Sequence, residues 1–332
     1  HSLQIIGGTR MNIIYTLHSG KNNKFIYYVK AYARELTPKF VCRRRCKSLL
    51  QTIATRPDAD YIQQRIDYYC RLNTPITLSS DSPTLGEHHR SKSKVYYFDS
   101  YEFTRYFPDH LQWRFLKGDI TYVPDQPTIV KSRPLQCDNS NSVLLKLDKI
   151  RHFIFVNDHQ PFSAKHSKAI FRGKIAGKEN RIRFMQMYFG SDICDCGEVG
   201  KSDDTPTEWH TSKKTIREHL DYKFVIALEG NDVASNLKWI MSSNSIAVMP
   251  RPTYETWFME GTLIPNYHYI EIKPDFSDLR ERLQYYTTHS DEAEQIIRHA
   301  HEFVAPFRDK MREKLIALGV LDKYLKLVND TK

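Results

Sequence analysis

The chain has 332 residues, enough for two domains with a sizeable core, and its 40% hydrophobic and 27% charged composition is that of an ordinary globular protein. A formal net charge of +10 favours polyanionic partners such as nucleic acid, an anionic membrane surface or a phosphorylated glycolipid. No apolar run approaches the roughly eighteen residues that span a bilayer, and no RRM, KH or zinc-finger signature accompanies the charge, so nucleic acid is not an expected partner. Six cysteines, at 42, 46, 70, 137, 194 and 196, form no CxxC pair and no Cys/His ligand set. They read as free thiols of a reducing compartment.

The N-terminus shows no charged-then-apolar signal layout, and MNIIYTLHSG from Met11 reads as a natural start behind residues 1–10. Asn12–Leu17 reads as a short strand, Ser19–Asn23 as a turn, and Phe25–Leu36 as a helix with Tyr27, Val29, Tyr32 and Ala33 as its buried positions. Helices follow at Arg43–Ala54 and Asp58–Leu72, the second striped by Tyr61, Ile62, Ile66, Tyr69 and Cys70. Arg43-Arg44-Arg45-Cys46-Lys47 is a dense basic cluster without the interleaved aromatics that stack bases. It reads either as a solvated face or as a dock for anionic lipid. Thr77–Ser93 is a polar loop, Val95–Phe98 is strand-like, and Tyr101–Trp113 is aromatic and irregular.

Prolines at 124, 127 and 134 forbid a long helix and leave room for a short strand at Ile129-Val130. Just upstream, Gly118-Asp119 forms a turn from which a carboxylate can reach a cleft, with Asp125 as a second carboxylate nearby. On pattern alone a Gly-Asp pair is a plain turn. Ser142–Leu147 and Phe153–Val156 are short buried segments, and 157–161 links to a second domain.

Ala169–Phe171 is apolar and runs into Arg172-Gly173-Lys174. Residues 190–207 read as a polar loop, and Ser212–Leu220 as a helix. The organising stretch is Tyr222–Tyr269. In it Phe224–Leu228 is a buried strand, and Glu229-Gly230-Asn231-Asp232 a turn, because Gly and Asn tolerate positive φ. Val233–Met241 reads as a helix and Ser245–Met249 as a second strand. Strand, turn, helix, strand calls for a parallel sheet, in which ligands bind at the carboxyl ends of strands. The backbone N–H groups of Val233, Ala234, Ser235 and Asn236 would then offer a phosphate seat. With no GxGxxG and no GxxxxGK[ST], the same pattern also describes a plain connection. Glu255–Gly261 follows as an aromatic helical turn, Ile270–Ile272 as a strand, and Phe276–Tyr286, Asp291–Phe303 and Met311–Val328 as amphipathic helices.

Taken together, YKFVIALEGNDVASNLKW, the small-residue run ending at Ser245, YETWFMEGTLIPNYHYIEIK, and DLRERLQYY with EAEQIIRHAHEFV behind it resemble the glycosyltransferase family 90 domain in order and spacing. The resemblance covers the larger, C-terminal part of the chain. It implies an α/β fold of the GT-B type, with two Rossmann-like domains facing across a cleft. Residues 1–160 would form the acceptor domain and 161–332 the nucleotide-sugar domain, with the last helix packing back on the N-terminal one. It further implies that the Phe171-Arg172-Gly173 motif delivers a basic turn toward the donor diphosphate. A second arginine falls on Arg181, or on Arg183 if the register slips, and the catalytic aspartate on Asp119. Glu260 reads either as an acceptor for the ribose hydroxyls or as an exposed helix-end carboxylate, and His268 as a packed core histidine ahead of a wall of the nucleotide site. One departure stands out: many relatives carry Ser and Arg at the start of the helix after the glycine turn, where this chain has Ala234 and Asn236 around Ser235.

Sugar transfer needs a base for the acceptor hydroxyl, a counter-charge for the leaving diphosphate, and alignment of the two substrates. Asp119 is the expected base. No DxD site stands in a matching place, and Arg172, Arg181 and the Gly230 turn offer a metal-free alternative. The expected enzyme therefore inverts the anomeric centre and uses neither metal nor cofactor. The expected donor is a UDP-sugar, with glucose ahead of galactose and xylose. The expected acceptor is the inner core of a bacterial lipooligosaccharide, reached from the cytoplasmic face of the inner membrane by a peripheral protein on its anionic surface. The competing expectations are another glycan or protein acceptor, and a non-enzymatic polyanion-binding protein.

Overall fold

The computed structural model describes residues 20–90, 94–200 and 202–330; the strand expected at Asn12–Leu17 lies outside them. The chain divides into two compact units. One joins Asn23–Ile150 to Pro252–Thr262 and Ala305–Lys332; the other is built mainly from Arg151–Arg251 and Leu263–Val304. The strands among the described residues are β1 (Thr128–Val130), β2 (Ser132–Pro134), β3 (Ser142–Leu144), β4 (His166–Gly173), β5 (Cys194–Glu198), β6 (Tyr222–Ile226), β7 (Ile246–Met249), β8 (Tyr254–Thr256) and β9 (Ile270–Glu271).

The C-terminal unit is organised by a five-stranded sheet in the order β5-β4-β6-β7-β9, parallel throughout. Its central strands are apolar on both faces: Ala169, Ile170 and Phe171, Phe224 to Ile226, and Ile246 to Met249 are all buried. Parallel strands covered on two sides require this. Helices Leu279–Thr288 and Ser290–Val304 supply part of the cover, sending Leu279, Leu283, Tyr286, Ala293, Ile296 and Ile297 into the same core. The chain starts at β4, steps outward to β5, then returns past β4 to β6 and beyond. The sheet therefore reverses direction of growth between β4 and β6, and in open α/β sheets the crevice at such a point is where ligands sit.

Two expectations for this unit are corrected. The segment 190–207 is not all loop, since β5 lies within it. Cys194-Asp195-Cys196-Gly197-Glu198 has no β-branched or bulky apolar residue, and becomes a strand through its register with Ala169–Gly173. The helix expected from Val233 starts only at Leu237 and runs to Met241. Asn236 bonds back through Nδ2 to the Ile226 carbonyl at 3.1 Å, which ties the preceding residues to the strand end instead of into a helical turn.

The N-terminal unit is mainly helical, with helices Lys24–Leu36, Lys39–Gln51, Ala59–Tyr69, Lys94–Thr104 and Lys310–Asn329. Among its described residues the sheets are two small ones, β1 parallel to β3 and β2 antiparallel to β8. Val95–Phe98 is helix rather than strand. Its β-prone aromatics are overridden because Asp99, buried on that helix, accepts from Tyr27 Oη at 2.8 Å and from the Lys149 amide at 2.9 Å. In the first helix Ala31 is the buried residue, and Val29 and Tyr32, expected inside, are exposed. The stripe on Ala59–Tyr69 is buried as expected at Ile62, Ile66 and Tyr69. Residues 255–261 form β8 and the short turn Glu260–Thr262 rather than a helical turn.

Long-range contacts close this unit. Arg65 reaches Glu313 at 2.6 Å, Lys146 reaches the other carboxylate oxygen at 2.8 Å, and Trp257 Nε1 donates to it at 2.7 Å. Gly319 gives room for Ile66, since a Cβ there would lie 2.2 Å from Ile66 Cδ1. His88 Nε2 lies 2.8 Å from Ser100 Oγ, with Tyr97, Trp113 and Phe115 around the ring. Burial, with a smaller push from Lys117, lowers its pKa from 6.5 to about 4. A histidine held neutral stabilises the fold fully above its unfolded pKa, and that stability is lost as pH falls toward the folded value. Urea unfolding should therefore show a loss on the order of 1–3 kcal/mol between about pH 7 and 5, flattened in His88→Gln.

Candidate active site

Arg181 sits in the first turn of helix Glu179–Tyr188, which follows β4. Its guanidinium is held at the reversal point of the sheet. Nη2 donates to the Leu228 carbonyl at 2.7 Å and Nε to the Glu229 carbonyl at 3.1 Å, both beyond the end of β6. Nη1 donates to the Lys174 carbonyl at 2.9 Å, beyond the end of β4. Burial alone pushes this arginine's pKa down to about 10. Among the described residues no carboxylate pairs with it. Three neutral carbonyls orient the group without cancelling its charge, so the carboxyl end of the sheet carries an uncompensated cation that favours an anion.

Two glycines lie against the guanidinium. A Cβ at Gly230 would lie 3.1 Å from Arg181 Nη2, and one at Gly173 would lie 3.4 Å from Nη1. Asn180 Nδ2 adds a bond to the Glu229 carbonyl at 3.0 Å, and Lys178 donates to the Asn231 side chain. The structure thus brings together Gly173, Arg181 and Gly230 of the expected donor residues. Arg183, the alternative register, is exposed.

Arg172 is engaged elsewhere. Its guanidinium reaches Asp195 Oδ1 at 2.6 Å and the Asp195 carbonyl at 2.8 Å on the neighbouring strand. Burial of Asp195 is outweighed by hydrogen bonds from Arg172 and Tyr222, which hold its carboxyl below the ordinary value. Val233 and Ala234 are buried in the connection after Gly230, Ser235 is exposed, and Asn236 is spent on Ile226. The N–H groups at 233–236 therefore do not open a helix, because the helix has five residues and starts after them.

Glu198 is a site residue that the sequence reading missed. It lies buried at the end of β5 and accepts from the amides of Ile175 and Ala176 at 3.1 and 3.3 Å and from Thr205 Oγ1. Those bonds outweigh its burial and keep its carboxyl below the ordinary value. It fixes the turn whose Lys174 carbonyl orients Arg181. The only local cue is a glutamate after Gly197 in a polar segment.

In the N-terminal unit, Gly118 adopts φ 96°, a left-handed value suited to glycine. Asp119 follows it and pairs with Lys131 Nζ. The lysine side chain is 1% exposed and that of Asp119 is 23% exposed, so a buried cation holds a carboxylate that still meets solvent. Asp125 is 84% exposed and faces Arg114 at 3.8 Å. Glu260 is buried, accepting from the Thr256 amide at 2.7 Å and from Thr256 Oγ1 at 3.0 Å within its own turn. His268 Nδ1 accepts from the Ile264 amide at 2.9 Å while the ring packs on Phe303 and Tyr267. Burial lowers its pKa to about 4. Among the described residues no group of His, Cys, Asp and Glu could hold a metal ion. No helix among them is long and apolar enough to cross a membrane.

The family model described as glycosyl transferase family 90 matches residues 143–330. The chain is 37% identical over 309 residues to a protein named O-glucosyltransferase LpsA from Dichelobacter nodosus, covering 92% of this chain and 96% of that one. It is 26% identical over 165 residues to Protein O-glucosyltransferase 3 of Homo sapiens, covering 48% of this chain and 32% of the human protein. It is 24% identical over 183 residues to uncharacterized protein 035R of Invertebrate iridescent virus 3, covering 48% of this chain and 16% of the viral one.

Proposed function

The chain belongs to glycosyltransferase family 90 and is a glycosyltransferase, and from that premise we propose that it moves glucose from a UDP-sugar to the inner core of a bacterial lipooligosaccharide. The names of two relatives, which speak of O-glucosyl transfer, support glucose. Family membership sets aside the non-enzymatic polyanion binder. We place the donor on the C-terminal unit and the acceptor on the N-terminal one, in a GT-B arrangement.

The observation that carries the donor assignment is the uncompensated Arg181 guanidinium between the ends of β4 and β6. In the proposed step an acceptor hydroxyl oxygen attacks the anomeric carbon and gives its proton to Asp119. The bond from that carbon to the diphosphate oxygen breaks, and UDP leaves with the electron pair. Attack opposite the leaving group inverts the anomeric centre. Arg181, placed where the negative charge grows, stabilises the departing diphosphate without a metal. Gly173 and Gly230 lie against the guanidinium, and Ser235 is an exposed polar side chain on the adjoining connection.

Arg181→Ala should weaken UDP binding by about 10–100-fold, the loss of charge-assisted hydrogen bonds to an anion. Calorimetry on the variant and on Arg181→Lys, with thermal unfolding as the check on folding, tests this. Unchanged UDP affinity in both would overturn the donor site. Turnover should also survive excess EDTA; activity abolished by the chelator and restored by Mn²⁺ would overturn the metal-free mechanism.

A further inference from the structure

The helix Lys24–Leu36 carries apolar side chains on its outward side as well as on its inward one. Its inward side carries Tyr27, Tyr28 and Ala31 against Tyr97 and Phe98, together with Arg34 paired to Glu102. Its outward side is an apolar stripe, Phe25, Val29 and Leu36, on one helical line; Tyr32 lies on the same line but turns its ring edge-on to Phe98 at 5.1 Å between centroids. Phe25 is 76% exposed and Leu36 84% exposed. Ile26 is exposed beside them, and so are Lys24 and Lys30.

Two residues, Thr37 and Pro38, connect to helix Lys39–Gln51. That helix buries Cys42 and Cys46 and exposes Phe40 and Val41 at its start. Arg44 lies over the Phe40 ring at 5.7 Å, and Arg45 and Lys47 are exposed beyond it. Among the described residues none of Lys24, Lys30, Arg44, Arg45 and Lys47 has an ion pair. Residues 24–47 hold eight Lys and Arg against one Glu, a net +7 of the chain's +10.

We propose that this helical pair is a docking surface for an anionic lipid bilayer. Large apolar side chains exposed in one contiguous stretch mark an interaction site. Basic residues flanking an exposed Phe and Leu stripe are the composition of a helix that lies in a membrane interface. The charge selects this occupant over a second copy, because two such faces would set the cations Lys24, Lys30, Arg44, Arg45 and Lys47 against the same five, whereas Arg34 is paired to Glu102 and Lys39 and Arg43 to Asp109. The apolar stripe enters the headgroup boundary, and the lysines and arginines meet lipid phosphates. Its purpose rests on the proposed lipid-borne acceptor; its binding to vesicles does not.

The test is co-sedimentation with vesicles of phosphatidylcholine alone and of phosphatidylcholine mixed equally with phosphatidylglycerol. The protein should bind the mixed vesicles, release in high salt, and ignore pure phosphatidylcholine. Arg44→Gln with Arg45→Gln should weaken binding by about 20–30-fold, at roughly fivefold per basic residue near the surface. Phe25→Ser with Leu36→Ser should weaken it at least about tenfold. Both pairs are surface changes, so UDP affinity and thermal unfolding should match the parent protein. Vesicle binding by both double variants equal to that of the parent protein, equal binding to both vesicle types, or a concentration-dependent dimer that Phe25→Ser with Leu36→Ser dissociates would each overturn the proposal. A parent protein that binds vesicles as described but has no affinity for UDP would sustain this surface and overturn the donor site instead.

Discussion

Asp119→Asn is expected to lower turnover by about 10²–10⁴-fold, the usual loss on removing a general base. The substitution keeps size and hydrogen bonding and removes the proton acceptor. The carboxylate follows a glycine at φ 96° and is held by the Lys131 ammonium, so its position is set by the backbone and by a buried cation together. UDP affinity should stay near that of the parent enzyme, since Asp119 and Arg181 belong to different units. Asp125, 84% exposed and bound only loosely to Arg114 at 3.8 Å, should tolerate the same change. Steady-state rates with saturating donor and calorimetric UDP binding on the two variants decide the matter. Normal turnover in Asp119→Asn alongside a dead Asp125→Asn would move the base to Asp125. Two active variants would remove the base from this segment.

Glu313→Ala should cost about 3–5 kcal/mol of stability, the range for breaking a buried ion pair from one side. It would strand Arg65, whose side chain is 1% exposed, together with Lys146 and the Trp257 indole N–H. Burial tends to raise the carboxyl's pKa, but Lys146 and Arg65 outweigh it and hold the group below its ordinary value. A carboxylate so held stabilises the fold above its unfolded pKa of about 4.3 and loses that contribution as pH falls below it. The gap between the parent protein and Glu313→Gln in urea unfolding should therefore be wide at neutral pH and narrow in acid. Equal stability of the two at neutral pH would show that the ion cluster contributes nothing. Because Trp257 and Glu313 come from the two returning segments, losing the pair should also loosen the unit that carries Asp119.

Local pattern was enough where one segment contains its own instructions. The apolar runs of β6 and β7 are buried strands because their residues are apolar on both faces. Helices Ser290–Val304 and Lys310–Asn329 match their expected spans within a few residues because their buried positions recur at helical spacing. The left-handed turn at Gly118 follows from the residue type. The resemblance to family 90, now borne out, also lay in the order of the motifs.

Tertiary structure decided whatever depends on partners distant in the chain. Cys194–Glu198 is a strand only because β4 lies beside it, and Lys94–Thr104 is a helix because Tyr27 and Lys149 satisfy Asp99. Arg172 and Arg181 read alike in the sequence. The first is neutralised by Asp195 on the neighbouring strand, whereas the second hydrogen-bonds only to carbonyls, which leave its charge uncompensated. Helical spacing likewise marked an apolar stripe on Lys24–Leu36 without saying which side faces out. A sequence carries propensity and period, which act between near neighbours. The sign and compensation of a charge, and the face a stripe presents, are set by groups that only folding brings within reach.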